Sequence, residues 1–328
     1  MAFVNSTSPL IWILDDEWSD YNIERSVLEP RGFTVVTTRS REFGQHYPLY
    51  AGSAEGVLCQ VSFPLDSGSI AGLDRCRIIA VFGVGYENVD VRAATEKGIH
   101  VTHLPDYCTE EVSDHCLAML LALSRRIVWH DRSVRAGRWD PHGQRAVRRL
   151  RGQTLGLIGF GRVARMVAAK ARGFGLAIKA FDPNADLGAM GVAGVIPSSL
   201  DDVLATSDFV SIHVPLTPRT RGLIGAHEFG MMKSGAFLIN TSRGGLIDED
   251  ALVAALAGSK LAGAALDVLA AEPPDRRNPI LGLENVILTP HAAYASETSL
   301  VELKRRSAQN VANVLQGNRP EFAVNEIT

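Results

Sequence analysis

An arginine, a glutamate and a histidine stand in three short stretches of the 328-residue chain: INTSRGGLIDEDAL (239–252), ALDVLAAEPP (265–274) and LTPHAAYAS (288–296). A guanidinium can hold a carboxylate through two parallel hydrogen bonds. A histidine beside a carboxylate is oriented and kept protonated, which equips it as a general acid toward a carbonyl oxygen. Arg243, Glu272 and His291 are 29 and 19 residues apart, so only a fold that gathers strand ends can unite them. The carboxyl ends of parallel strands do this. Such a set implies hydride to carbon and proton to oxygen. Singly, each residue has a plainer role open to it: Arg243 as a turn residue beside two glycines, Glu272 as a loop charge before two prolines, His291 as a core histidine.

A second constellation lies upstream, in RGQTLGLIGFGRVARM (151–166). Gly159, Gly161 and Ala164 fill the three places of a G-x-G-x-x-G/A turn, with Gly156 in the strand before it. The first place allows the tight turn, the second lets backbone approach a pyrophosphate, and the third needs a small residue where helix meets strand. The helix that follows offers free N–H groups and a partial positive charge to phosphates, and Arg162 adds a cation. A glycine-rich turn can also be a plain connector. Asp182 tells against that, because it ends the next strand 18 residues past Ala164, where a carboxylate accepts hydrogen bonds from the adenosine ribose. A 2′-phosphate would be repelled there, and Pro183 and Asn184 supply no cation. NAD is expected rather than NADP.

The elements that must position these residues read as two βαβ series. The runs LIWILDD (10–16), FTVVTT (33–38), GVLCQ (56–60), RIIAVFG (77–83) and IHVTH (99–103) form the first. A helical segment follows, with Thr109 as its expected N-cap and apolar residues at Val112, Leu117, Leu120, Leu121 and Leu123. The second series runs through TLGLIG, IKAFD (178–182), DFVSIH (208–213), AFLINT (236–241), AGAALD (262–267) and VILTP (286–290). Strands alternating with helix-length segments mean parallel sheets. A last helical pattern, from Ser296 to Leu315, has no strand series of its own and is placed back on the first body. The fold class is therefore α/β, with two Rossmann-like doubly wound parallel-sheet domains, one inserted within the other. The expected boundaries are 1–103 with 297–328 for a flavodoxin-like substrate domain, and 104–296 for the NAD-binding domain.

Composition excludes several classes. Hydrophobic residues make up 46 % and charged residues 21 % of the chain, as in globular proteins with sizeable cores. The longest apolar runs, such as LAMLLAL (117–123), fall far short of the roughly 20 residues that cross a bilayer. The N-terminal apolar run meets Asp15, Asp16 and Glu17 at once and has no basic flank, so no secretory signal is read and a cytoplasmic address is expected. Cys59, Cys76, Cys108 and Cys116 show no C-x-x-C spacing, which points to reduced core thiols and no metal site. A net charge of -3 sets up no field for nucleic acid or anionic membrane. Locally, residues 125–151 hold nine arginines, Arg145 among them, against two aspartates. A solvated or subunit-contacting arm is the expected reading of that segment.

From VFGVGYENVD (81–90) to GNRPEFAVN (317–325) the chain resembles the D-isomer-specific 2-hydroxyacid dehydrogenase family. The resemblance implies that Arg243, Glu272 and His291 are catalytic. It implies that backbone at Val84 and Gly85 helps hold the substrate carboxylate, with Tyr294 at the substrate. Cofactor contacts are implied at Thr109, Gly159, Gly161, Arg162, Val163, Asp182, at His213, Val214 and Pro215 of the HVPLT run, and at Thr220, Thr241, Ser242, Asp267 and His291. Asp267 would meet the nicotinamide carboxamide, and His213 would lie beside adenosine rather than act as an acid. A homodimer through the cofactor domain is implied too, with the arm near Trp139 as a contact.

Departures from the family's patterns narrow the substrate. Phosphoglycerate dehydrogenases carry basic residues in the substrate-domain loop, whereas QVSFPLD (60–66) has none, which disfavours phosphoglycerate. Formate dehydrogenases replace the glutamate by glutamine, and Glu272 is retained. Tyr294 stands where the C-terminal-binding-protein branch carries an aromatic residue. The resemblance thus implies an NAD-dependent dehydrogenase that interconverts a small 2-keto acid and a D-2-hydroxy acid, with Glu272 raising the His291 pKa above its reference of about 6.5. Reduction should weaken as pH rises through that value. An NAD(H)-sensing binding module with little turnover is the alternative.

Overall fold

The computed structural model describes residues 8–141 and 147–327; Arg145 of the arginine-rich segment lies outside them. The chain divides into one unit of Met1–Tyr107 with Ser296–Thr328, and another of Cys108–Ala295.

In the first unit, five parallel strands stand in the order β2-β1-β3-β4-β5. They are β1 (Leu10–Leu14), β2 (Thr34–Thr38), β3 (Ala54–Gln60), β4 (Ile78–Phe82) and β5 (His100–Thr102). Every residue of β1 and β4 is buried, so neither alternates apolar with polar, as expected of parallel strands covered on both faces. The helix Glu297–Leu315 returns to this unit. Its cap is Ser296, whose side chain accepts from the Ser299 amide at 2.9 Å, and it packs on β3 and β4, with Leu303, Ala308 and Val311 among its buried residues. Arg306 on the same helix pairs with Asp106 (3.1 Å) and Glu321 (2.9 Å), fastening both the end of the first segment and the C-terminal residues.

In the second unit, seven parallel strands stand in the order β12-β11-β10-β9-β6-β7-β8. These are β6 (Thr154–Ile158), β7 (Ala177–Phe181), β8 (Ile196–Pro197), β9 (Phe209–Ile212), β10 (Ala236–Asn240), β11 (Leu261–Leu266) and β12 (Val286–Leu288). The order reverses between β6 and β9, and ligands of doubly wound sheets bind at the carboxyl ends beside such a reversal. β8 escaped the sequence reading because two residues carry no periodicity. The expected N-cap at Thr109 is corrected: Thr109 is already the first residue of the helix Thr109–Arg125, and Cys108, with non-helical φ -126° and ψ 21°, holds the cap position. Arg126 then takes a left-handed φ of 53°, which separates that helix from the next, Ile127–Arg135. All four cysteines are free and buried. Among the described residues no helix is long and apolar enough to cross a membrane, and no cluster of His, Cys, Asp and Glu could hold a metal ion.

Candidate active site

The glycine turn follows β6 at the strand-order reversal. Gly159 has a φ of +94°, and a Cβ there would lie 2.5 Å from the His213 carbonyl oxygen, so the turn needs glycine twice over. At Gly161, the cap of the helix Arg162–Ala171, a Cβ would meet nothing within 4 Å. That open space is where a pyrophosphate could approach the helix N-terminus. Ala164 is fully buried under the sheet, while Arg162 is exposed and Val163 half-buried. Asp182, just past β7, accepts from the Phe160 amide at 2.8 Å through Oδ2 and from the Asn184 amide at 2.8 Å through Oδ1. A carboxylate has about four lone-pair sites, so acceptor capacity toward a ribose remains.

Other expected cofactor residues line the neighbouring strand ends. His213 N–H donates to Ile158 O, and its Nε2 pairs with Ser211 Oγ at 2.9 Å; burial pushes its pKa down to about 4, so it is a neutral ring. The loop from Val214 is knitted by Thr220, whose hydroxyl donates to the Pro215 carbonyl at 2.7 Å. Ser242 is committed as well, donating to Ile212 O at 2.8 Å. The hydroxyl of Thr241 is buried without a protein partner. An orphaned buried hydroxyl beside a glycine turn and an acid suits a polar ligand that completes it, so these residues fit a dinucleotide.

The chemical residues come from loops after β10, β11 and β12. Gly244 explains how the first two loops approach each other: a Cβ there would lie 2.0 Å from the carbonyl carbon of Leu269. Arg243 donates to the Ser242 carbonyl at 2.8 Å, and its charge is felt at Glu272. His291 Nδ1 lies 2.7 Å from Glu272 Oε2, while Oε1 of that carboxylate accepts from the Leu269 amide at 2.9 Å. Burial raises the Glu272 pKa, but the His291 hydrogen bond, the Leu269 amide and the charges of His291 and Arg243 outweigh it and hold the carboxyl below its ordinary range. Glu272, Pro273, Leu288 and His291 border a cavity of about 400 Å³. The Tyr294 ring stands edge-on to His291, with centroids 6.3 Å apart.

His291 has a φ of +53°, a left-handed conformation that costs a non-glycine residue roughly 1–3 kcal/mol and persists only where surroundings impose it. Asp267 imposes it. This aspartate is 2 % exposed; its backbone carbonyl accepts from the His291 amide (2.7 Å), Oδ1 from Ala292 N (2.9 Å) and Oδ2 from Ala293 N (2.9 Å). Thr289 Oγ1 donates to Oδ1 at 2.5 Å and meets His115 Nε2 at 3.0 Å. Neither His115 nor Thr289 stands out in the sequence. Their only signals were a polar residue amid an apolar helix and a hydroxyl just before Pro-His.

In the first unit, Val84 and Gly85 follow β4, and the Val84 carbonyl accepts from His103 Nδ1 at 2.7 Å. Asn88, also unread, donates from Nδ2 to Gln60 O (3.0 Å) and Phe63 O (2.7 Å), clamping the loop that lacks basic residues.

A doubly wound sheet carrying this glycine turn, acidic strand end and acid–imidazole pair is the apparatus of an NAD-dependent oxidoreductase. Residues 117–293 match the NAD-binding domain of the D-isomer specific 2-hydroxyacid dehydrogenases. The chain is 40 % identical over 275 residues to the glyoxylate reductase of Korarchaeum cryptofilum, covering 83 % of each. It is 37 % identical over 292 residues to the D-3-phosphoglycerate dehydrogenase of Archaeoglobus fulgidus, covering 89 % of this chain but only 54 % of that one. The D-lactate dehydrogenase of Aquifex aeolicus, solved with NAD and lactic acid, superposes with a TM-score of 0.85 at 29 % identity, covering 94 % of this chain and 96 % of that one. The chain belongs to the D-isomer-specific 2-hydroxyacid dehydrogenase family, and its cofactor is NAD.

Proposed function

We propose that the protein reduces a small 2-keto acid to the D-2-hydroxy acid, with His291 as proton donor. The observation that carries this reading is the 2.7 Å contact between His291 Nδ1 and Glu272 Oε2, which leaves Nε2 as the nitrogen able to serve a substrate oxygen. Arg243 binds the substrate carboxylate and polarises the carbonyl, and Val84 and Gly85 are retained as proposed backbone contacts to substrate. Glu272 orients the imidazole through that hydrogen bond. The carbonyl carbon gains a hydride and its oxygen a proton; bound NADH supplies the hydride. Thr109, Gly159, Gly161, Arg162, Val163, Asp182, His213, Val214, Pro215, Thr220, Thr241, Ser242 and Asp267 are the proposed cofactor contacts. Tyr294, edge-on to His291, is proposed at the substrate's side chain.

Glyoxylate, hydroxypyruvate and alkyl- or phenyl-substituted analogues are the proposed substrates. The loop 60–66 has no cation for a phosphate, and similarity to a glyoxylate reductase over most of both chains favours a small acid. A screen of NADH oxidation over glyoxylate, hydroxypyruvate, phenylpyruvate and phosphohydroxypyruvate tests this. Turnover of one of the first three supports the reading, whereas NADH binding without turnover of any keto acid replaces it with a cofactor-sensing module.

A homodimer through the second unit is proposed as well, in a cytoplasmic setting. Trp139 is 87 % exposed, Ile127 and Val134 are exposed beside it in sequence, and a cavity of about 320 Å³ opens between Arg126, Trp129 and Glu284. Light scattering that returns a monomer removes the proposal.

A further inference from the structure

We infer that His115, on the helix Thr109–Arg125, is a positioning residue for His291, acting as a hydrogen-bond donor through Thr289 and Asp267. The inference rests on the reading of His291 as proton donor.

The direction of the bonds follows from counting protons. A threonine hydroxyl has one, and that of Thr289 is given to Asp267 Oδ1 at 2.5 Å. At the 3.0 Å contact with His115 the hydroxyl oxygen can therefore only accept, so His115 must carry its proton on Nε2 and donate. The same Nε2 lies 3.6 Å from Asp267 Oδ1. His115 thus fixes the hydroxyl directly and stands beside the carboxylate that the hydroxyl holds.

On the other side of that carboxylate hangs the loop. Oδ1 takes the amide of Ala292, Oδ2 that of Ala293, and the Asp267 carbonyl takes that of His291. Three consecutive residues depend on one aspartate, and the first of them has the left-handed φ that aims its ring at Glu272. Removing the donor leaves the Thr289 hydroxyl fixed only by its own bond to Asp267 Oδ1, so hydroxyl and carboxylate can shift together and the loop they hold can relax toward an ordinary φ. Packing by itself would ask only for a ring of similar size at position 115. The hydrogen bonds ask for a donor at the Nε2 position, which a glutamine amide can supply and a phenylalanine cannot.

The experiment compares full-length wild type, H115F, H115Q and H291Q. The first readout is the imidazole Nδ1 proton of His291 bound to Glu272, observed by NMR without substrate or cofactor and assigned by its absence in H291Q. It should be retained in wild type and H115Q and be lost to faster exchange in H115F. The second readout is kinetic: H115F should lower kcat on the order of 10- to 100-fold, a larger effect than its weakening of NADH binding, and H115Q should recover most of that loss. Should H115F fail to fold, T289V removes the shared hydroxyl and takes its place. An unchanged His291 signal in the donor-less variant, or H115Q behaving like H115F, overturns the inference. If wild type turns over no keto acid, the proposed function fails while the NMR signal still decides the positioning.

Discussion

Glu272 and His291 stand 2.7 Å apart although they arrive on loops that follow different strands, β11 and β12. The pairing sets a pH dependence. Glu272 is held below the ordinary carboxylate range in the fold, so it stabilises the fold above its unfolded value of about 4.3, and that contribution is lost as pH falls through the folded value. Denaturant unfolding of wild type and E272Q over a pH series should show a stability difference that shrinks on acidification. With the side chain 37 % exposed the difference is small. A difference that stays constant down to the acid transition contradicts the pairing.

Gly244 is predicted to govern the approach of the Arg243 loop to Glu272. Alanine there places a Cβ 2.0 Å from the Leu269 carbonyl, so one loop must retreat. G244A should destabilise by roughly 1–3 kcal/mol and lower turnover more than NADH affinity. Thermal melts and parallel kinetics check it; equal losses in turnover and affinity would point to a general disturbance.

Gly159 and Gly161 are predicted to differ. G159A combines a left-handed φ with a clash against the His213 carbonyl, so both melting temperature and NADH affinity should drop. G161A meets nothing within 4 Å and should fold normally. Its NADH affinity alone should suffer, if the pyrophosphate uses that space. Fluorescence titration of NADH beside thermal melts distinguishes the two, and equal behaviour of the variants refutes the assignment of their roles.

The cysteines are predicted to be inert in the native protein. Burial pushes the thiols of Cys59 and Cys76 up to about 12 and that of Cys116 up to about 11, each against weaker lowering by hydrogen bonds. Thiolate is the reactive form. A chromogenic disulfide reagent should therefore react at the rate of unfolding, and immediate labelling of these thiols in native protein runs against the prediction.

Much of the architecture was legible because it rests on local patterning. Continuous apolar runs such as LIWIL announced parallel strands, and the spacing from Gly159 to Asp182 marked one turn and the end of the next strand. Arg243, Glu272 and His291 were legible as residue types at strand ends. What supports them was not. His115 meets Thr289 across 174 residues, and no local pattern encodes such a contact. Gly244 stood in the sequence only as one of two glycines beside Arg243, whereas its reason is the Leu269 carbonyl in another loop. The cap at Cys108 in place of Thr109 is a one-residue shift decided by backbone angles that a threonine in sequence does not fix.

The proposed reaction has His291 give the proton to the carbonyl oxygen. Its most direct measurement is the rate of NADH oxidation with glyoxylate, hydroxypyruvate and phenylpyruvate in wild type and H291Q, with NADH affinity determined separately. H291Q should lose on the order of 10²-fold or more in turnover at saturating NADH. Wild-type turnover in H291Q across those substrates would contradict it.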